Sequence, residues 1–187
     1  MARDIQAYNS YKREVNGQAM TTWGMKNEKM GLTYDQLVML ILKEAGEVVK
    51  DSMKAIRDEI GGAEEPKLRR TGNELFYFFV FGIDYWWQNE FRYTKEQKSI
   101  FEKIFSTHLD IMCGDEEGGR AMLDDLQERF TAYSEIVNEE ADDAGKLWRL
   151  GTKVSEYCEI EGGILLILIP ELFRSAMLLV PTFEAEA

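Results

Sequence analysis

A helix-start pattern, Thr-x-x-Gln or Thr-x-x-Glu, occurs three times in this sequence and constrains its fold more than any other feature. In such a capping box the threonine side chain accepts a hydrogen bond from the backbone N–H of the residue three positions later. The side chain of that residue accepts one from the backbone N–H of the threonine. The pairs are Thr33 with Gln36, Thr71 with Glu74, and Thr94 with Gln97. The chain has only 3 prolines, so long uninterrupted helices are allowed. No strand-like alternation persists, and the sequence predicts an all-α, multi-helix bundle.

Six to eight helices are expected from these starts and from the turn signals between them. The first covers residues 33–60 and ends at Gly61-Gly62. The second starts at Thr71 and contains LFYFFVFGIDYWW, which is apolar nearly all round, as in helices enclosed by others. Further helices are expected over residues 94–112, 120–140 and 141–157, and the last apolar stretch is expected to bend or restart at Pro170. A soft boundary divides residues 1–92 from a C-terminal helical extension, residues 93–187, although both parts could share one core.

The composition and net charge limit the kinds of partner that this protein can bind nonspecifically. Hydrophobic residues make up 45% of the 187 residues, enough for a core, and the net charge is −12. This charge opposes nonspecific binding to nucleic acid or to an anionic membrane. Cys113 and Cys158 lack a CxxC spacing, and no signal peptide is visible, so a cytoplasmic protein with reduced thiols is expected. The run GILLILIPELFRSAMLLV carries polar residues at mid-depth, so no membrane span is expected.

The first helix divides by face into three strips. The apolar strip contains Val38, Ile41, Leu42, Ala45, Val48, Val49 and Ile56. The acidic strip contains Glu44, Glu47, Asp51 and Asp58, and the basic strip contains Lys43, Lys50, Lys54 and Arg57. One interpretation is an ordinary solvated face, because many of these charges are spaced for i,i+3 or i,i+4 pairs. The other is a magnesium site, which requires a second helix with further oxygen ligands opposite the acidic strip.

The text LKEAGEVVKDSMKAIRDEIGG followed by TGNELFYF resembles the MazG-like nucleotide pyrophosphohydrolases. The similarity covers about residues 32–85, under a third of the chain. It implies an all-α domain, usually oligomeric, with a helical hairpin that binds magnesium. Members of that family cleave nucleoside triphosphates to a monophosphate and pyrophosphate. Their metal is held by an ExxE motif on one helix and an ExxD motif on the next.

The resemblance assigns roles to particular residues. Glu44 and Glu47 match the first metal-binding pair. In the second pair the glutamate position holds Arg70 and the aspartate position holds Asn73. Asn73 still offers a carbonyl oxygen, whereas Arg70 cannot bind a metal and could instead hold a phosphate. Asp51, one turn beyond Glu47, is a conceivable substitute ligand.

The candidate site is therefore metal-binding Glu44, Glu47, Asp51 and Asn73, with phosphate-binding Lys50, Lys54 and Arg70. Glu74 is assigned to its capping box, and Glu64 and Glu65 to a linker. His108, the only histidine, lacks the preceding glutamate of an ExxH iron site and is interpreted as structural. The aromatic residues Trp23, Trp86, Trp87 and Phe91 are interpreted as core or interface rather than as base-stacking groups.

Two function classes follow. The first is a magnesium-dependent nucleoside triphosphate pyrophosphohydrolase, or a nucleotide binder of reduced activity derived from one. The second is a non-catalytic helical protein that acts by homo-oligomerisation or by binding another protein. The loss of the family's carboxylates at Arg70 and Asn73 favours the second class. The presence of both segments, EAGEV and NELFYF, favours the first.

Overall fold

Six α-helices follow one another along the residues that the structure, a computed structural model, describes: 30–60, 65–91, 94–160, 163–179 and 183–185. They are α1 (Tyr34–Ile60), α2 (Glu65–Trp86), α3 (Lys95–Cys113), α4 (Glu116–Val137), α5 (Asp143–Cys158) and α6 (Ile164–Leu179). A π-helical turn, Trp87–Phe91, continues α2. Two three-residue strands, β1 (Met30–Leu32) and β2 (Phe183–Ala185), pair in a small sheet. The all-α, multi-helix prediction is confirmed.

Two of the three expected capping boxes are present. At the start of α1, the Thr33 N–H donates to Gln36 Oε1 at 3.0 Å, and the Gln36 N–H donates to Thr33 Oγ1 at 3.3 Å. At the start of α3, Thr94 and Gln97 make the same pair of bonds at 2.8 and 3.2 Å. Both helices therefore begin where their local sequence predicts.

The third expected capping box, at Thr71 and Glu74, is wrong. Helix α2 begins six residues earlier, at Glu65, and Thr71 lies inside it with its hydroxyl donating to the Lys67 carbonyl at 2.8 Å. Pro66 lies in the first turn, where the missing N–H leaves no helical bond unmade, and nothing between Pro66 and Thr71 interrupts a helix. Glu65 is consequently helical rather than part of a linker. Glu74 lies two turns into the helix and takes no part in capping.

The other helix boundaries differ less from their predicted positions. Helix α4 starts at Glu116 rather than near residue 120, because the Asp115 side chain accepts from the Gly118 N–H at 2.6 Å and caps the helix. Gly114, at φ 83°, ends α3 in the left-handed conformation that glycine adopts readily. Helix α6 runs through Pro170 as one helix, so the expected restart does not occur. Trp23, Gly61, Gly62 and Glu64 lie outside the described residues.

The hydrophobic core surrounds α2, as its apolar sequence predicts. Phe81 packs edge-on against Phe130 of α4, with ring centroids 5.5 Å apart, and stacks on Phe173 of α6 at 6.5 Å. Residues on both sides of the expected boundary near Tyr93 thus belong to one core. The apolar strip of α1 is buried or half-buried against it. No helix in the described part of the chain is long and apolar enough to cross a membrane.

Candidate functional site

The acidic strip of α1 is mostly turned to solvent. Glu44 is half-buried, and Glu47 and Asp51 are exposed. Lys50 Nζ lies 3.3 Å from Glu47 Oε2, an i,i+3 pair typical of a solvated helix face. Lys54 on the basic strip is also exposed.

The described residues do not assemble the enclosed carboxylate cage that the resemblance implies. Among them, no three histidine, cysteine, aspartate or glutamate side chains stand close enough to hold a metal ion together. Where α2 packs on α1, Gly72 faces the apolar side of α1: a Cβ placed on Gly72 would lie 3.9 Å from Val49 Cγ1. Magnesium prefers near-octahedral oxygen ligands, and α1 supplies carboxylates from one helix face alone. The assignment of magnesium to Glu44, Glu47, Asp51 and Asn73 stays a prediction.

A cavity of about 550 Å³ lies instead on another side of α2, between it and α4. We call it the arginine cavity. Arg70 and Asn73, the two positions that depart from the family pattern, both line it. It is lined by Glu65, Pro66, Arg69, Arg70, Asn73, Glu74, Tyr77, Asp125 and Arg129. No residue of α1 lines it, so the acidic and basic strips contribute nothing to its wall.

A buried ion pair forms one wall of the arginine cavity. The side chain of Glu74 is 2% exposed and accepts from Arg129 Nε, with its two oxygens at 2.8 and 3.1 Å. Tyr133 Oη donates to the same carboxylate at 2.8 Å. Arg129 also donates to Glu128 at 2.7 Å, and its guanidinium carbon lies 3.7 Å above the ring centre of Tyr157 on α5. We call Glu74, Arg129 and Tyr133 the buried charge cluster; it ties α2 to α4.

The surroundings of this cluster raise the pKa of all three of its groups. Burial raises the pKa of Glu74, while the hydrogen bond from Tyr133 and the charge of Arg129 lower it by less. Burial, together with Glu74, raises the pKa of Tyr133 well above its ordinary value, so Tyr133 remains a donor. For Arg129, burial acts to lower the pKa, but Glu74 outweighs it and the guanidinium stays charged. Burial raises the pKa of the nearby Cys158 thiol to about 12, so this thiol is neutral at physiological pH.

The buried charge cluster was not predicted from the sequence, although the position of Glu74 gave one indication of it. Glu74 lies on the same helix face as Phe78 and Phe81, on a helix that is apolar nearly all round. A carboxylate in such a position has to be buried, and a buried carboxylate needs a cation or hydrogen-bond donors. The local Thr-x-x-Glu pattern offered a simpler role and concealed this requirement. The partners on α4 could not be identified without the fold.

Glu74→Gln is expected to gain stability relative to the wild type as the pH rises. The folded-state pKa of Glu74 is raised above its ordinary value of 4.5, so ionisation of this group favours the unfolded chain. The stability contributed by protonated Glu74 is fully present below that ordinary value and is lost as the pH rises through the folded-state pKa. Glutamine cannot ionise. Urea unfolding of both proteins between about pH 4 and pH 8 measures this difference, and a difference that is constant or changes in the opposite direction would contradict the assignment.

Comparison with known proteins adds no assignment: no protein-family model, curated protein or solved structure matches this chain. The functional interpretation therefore depends on the chemistry of the arginine cavity. The Tyr77 hydroxyl of its wall already donates its only proton to Asp125, at 3.3 Å, which leaves the guanidinium groups and the Asn73 amide to face a ligand. Such groups are donors suited to an anionic oxygen-rich ligand.

Proposed function

We propose that this chain binds a nucleotide, or a related phosphate compound, in the arginine cavity, and that it does so as a binder of reduced or absent pyrophosphohydrolase activity. The observation that carries the proposal is the joint position of Arg70 and Asn73 on the wall of this cavity. The resemblance expects carboxylates at both positions. An arginine at one of them replaces a metal ligand by a group that binds phosphate directly.

Arg70 is suited to this role. Its guanidinium can donate two parallel hydrogen bonds to a phosphate. Its side chain is 50% exposed, and its present partner is Glu159, itself 67% exposed. Exposed ion pairs contribute little, so a phosphate can displace Glu159 at small cost. Arg69, the preceding residue, is exposed and lines the same cavity.

The rest of the cavity supports an anion of moderate affinity. Its lining runs along α2 from Glu65 in the first turn, where the helix dipole favours negative charge, to Tyr77 three turns later. Arg129 is held by Glu74 and contributes a fixed positive charge rather than a mobile donor. Three carboxylates, those of Glu65, Glu74 and Asp125, line the same cavity and oppose an anion, and Glu74 is already paired with Arg129. A volume of about 550 Å³ is within the range of small-ligand sites.

Isothermal titration calorimetry with the four deoxynucleoside triphosphates, with and without magnesium, tests this proposal. We expect saturable binding without magnesium, weakened about tenfold or more in Arg70→Ala, because one charge-assisted contact is lost. Arg149→Ala is the matched control, since Arg149 is an exposed arginine that pairs with Glu139 as Arg70 pairs with Glu159. Its affinity should equal that of the wild type.

Two outcomes would contradict the proposal. Nucleotide binding would be contradicted if none of the four nucleotides gave a measurable heat of binding. Binding that requires magnesium, is lost in Glu47→Ala and survives in Arg70→Ala would place the ligand on α1, where Lys50 and Lys54 are available to its phosphates.

A second candidate function, homo-oligomerisation or binding to another protein, is favoured by large apolar side chains at the surface. Ile111 on α3, Trp148 on α5 and Leu178 on α6 are 69%, 61% and 65% exposed. Of these, Trp148 is of a residue type that is enriched at protein–protein interfaces. Silent nucleotide titrations together with a sedimentation mass of two or more chains would favour this function over the first.

A further inference from the structure

A second cavity, of about 440 Å³, lies among helices α1 to α4 and shares no lining residue with the arginine cavity. We call it the aromatic cavity. Its wall contains the rings of Trp87, Phe101, Phe105 and Phe130. Trp87 meets Phe101 edge-on with centroids 5.3 Å apart, and Phe101 stacks on Phe105 at 5.7 Å. These contacts hold three of the rings against one another, so the apolar wall is already formed.

Polar and apolar residues occupy different parts of the aromatic cavity. Its buried lining residues are all apolar: Ile41, Val80, Ile83, Trp87, Phe105 and Leu126. Its exposed lining residues are all polar: Glu102, Gln127 and Thr131. The cavity therefore has an apolar interior with polar residues at its opening to solvent. An apolar lining with a few polar groups is usual in sites for small organic molecules.

The charged groups of this lining already have partners. Lys98 Nζ lies 3.9 Å from Glu102 Oε1, so each of these two charges has an opposite charge beside it. Asp84 accepts a hydrogen bond from Gln88 and has a further interaction within the protein. A charged ligand would lose hydration on entering the cavity, and none of these lining charges is free to replace it. The lining thus favours a ligand without charge.

We propose that the aromatic cavity binds a small neutral aromatic compound, about the size of two fused rings. Its volume lies in the range of sites for small organic ligands. Burial of the ligand rings against the apolar interior supplies the driving force. The rings of the wall favour an aromatic ligand over a saturated one, because stacked and edge-on ring pairs gain more than their buried area accounts for.

Titration of the full chain with three naphthalene derivatives tests the charge of the ligand. 1-Naphthalenemethanol, 1-naphthylmethylamine and 1-naphthoic acid share a ring system and are neutral, cationic and anionic at neutral pH. We expect the alcohol to bind at least about tenfold more tightly than either charged probe, because its binding removes no charge from water. The saturated counterpart of the alcohol, decahydro-1-naphthalenemethanol, should bind about threefold more weakly than the alcohol.

Blocking the cavity provides the second arm of the test. Leu123→Trp places a larger side chain into the lining and should abolish binding of the alcohol. Thr131→Trp, at an exposed position of the same lining, serves if the first variant does not fold, as judged by its thermal transition. Ala121→Trp is the matched control, since Ala121 is an exposed residue of α4 outside the lining, and it should retain wild-type affinity.

The proposal is overturned if the alcohol does not bind to the wild type, if either charged probe binds as tightly, or if a folded blocked variant retains wild-type affinity. Equal affinity for the saturated counterpart would assign the cavity to aliphatic ligands and overturn the aromatic class. Because the two cavities share no lining residue, silent nucleotide titrations would contradict nucleotide binding and leave these outcomes unaffected.

Discussion

Arg129→Ala is expected to lower the free energy of unfolding by about 3–5 kcal/mol, the usual effect of removing one partner from a buried ion pair. The carboxylate of Glu74 is 2% exposed and receives two contacts from Arg129, at 2.8 and 3.1 Å. Without the guanidinium, Tyr133 alone would donate to this group. Glu74 would then either remain charged in an apolar site or take up a proton, and both cost stability at neutral pH. Stacking of the guanidinium on Tyr157 would also be lost.

Urea unfolding at neutral pH measures this effect, with Arg149→Ala as the control. Arg149 pairs with Glu139 on the surface, where both side chains are about half exposed, and its removal should cost less than about 1 kcal/mol. A double variant, Glu74→Gln with Arg129→Met, should recover much of the loss because neither charge remains buried. Equal costs for Arg129→Ala and Arg149→Ala would show that the buried charge cluster does not stabilise the fold. If Arg129→Ala folded normally yet lost nucleotide binding, the cluster would serve the ligand instead.

The helix boundaries divide into those that local sequence determines and those that it does not. At Thr33 and Thr94 the local pattern is sufficient, and both capping boxes formed as expected. Thr71 has the same local pattern, but it lies inside a helix that begins at Glu65, has Pro66 in its first turn and continues without interruption. A capping box can only begin a helix where no helix is already running. The pattern alone does not contain that information.

The candidate site divides in the same way. The 3.6-residue period placed the acidic strip of α1 on one face, and the family resemblance singled out Arg70 and Asn73. Neither could supply the opposite wall of the arginine cavity. The contacts of Glu74 with Tyr133 and of Tyr77 with Asp125 join residues 59 and 48 positions apart. Such pairs are set by how α4 packs on α2, which depends on the whole core rather than on a local motif.

Gly119→Ala is expected to destabilise the protein by about 1–3 kcal/mol, the range for overpacking a close contact. Gly119 is buried in the first turn of α4, opposite Asp110 near the end of α3. A Cβ added there would lie 2.7 Å from the Asp110 Cα and 2.8 Å from its backbone nitrogen. A side chain could rotate away from such a contact, but backbone atoms within a helix cannot. The two helices would have to separate at the connection that joins them.

Gly46→Ala provides the opposite case and therefore the control. Gly46 is exposed in the interior of α1, and a Cβ added there meets nothing within 4 Å. Because alanine loses less backbone freedom than glycine on entering a helix, this substitution should stabilise the protein by about 0.5–1 kcal/mol. The same substitution is thus expected to change the free energy of unfolding in opposite directions at two helical glycines. Thermal and urea unfolding of both variants would measure this difference. If Gly119→Ala were as stabilising as Gly46→Ala, α3 and α4 could not be packed as closely as Asp110 and Gly119 indicate.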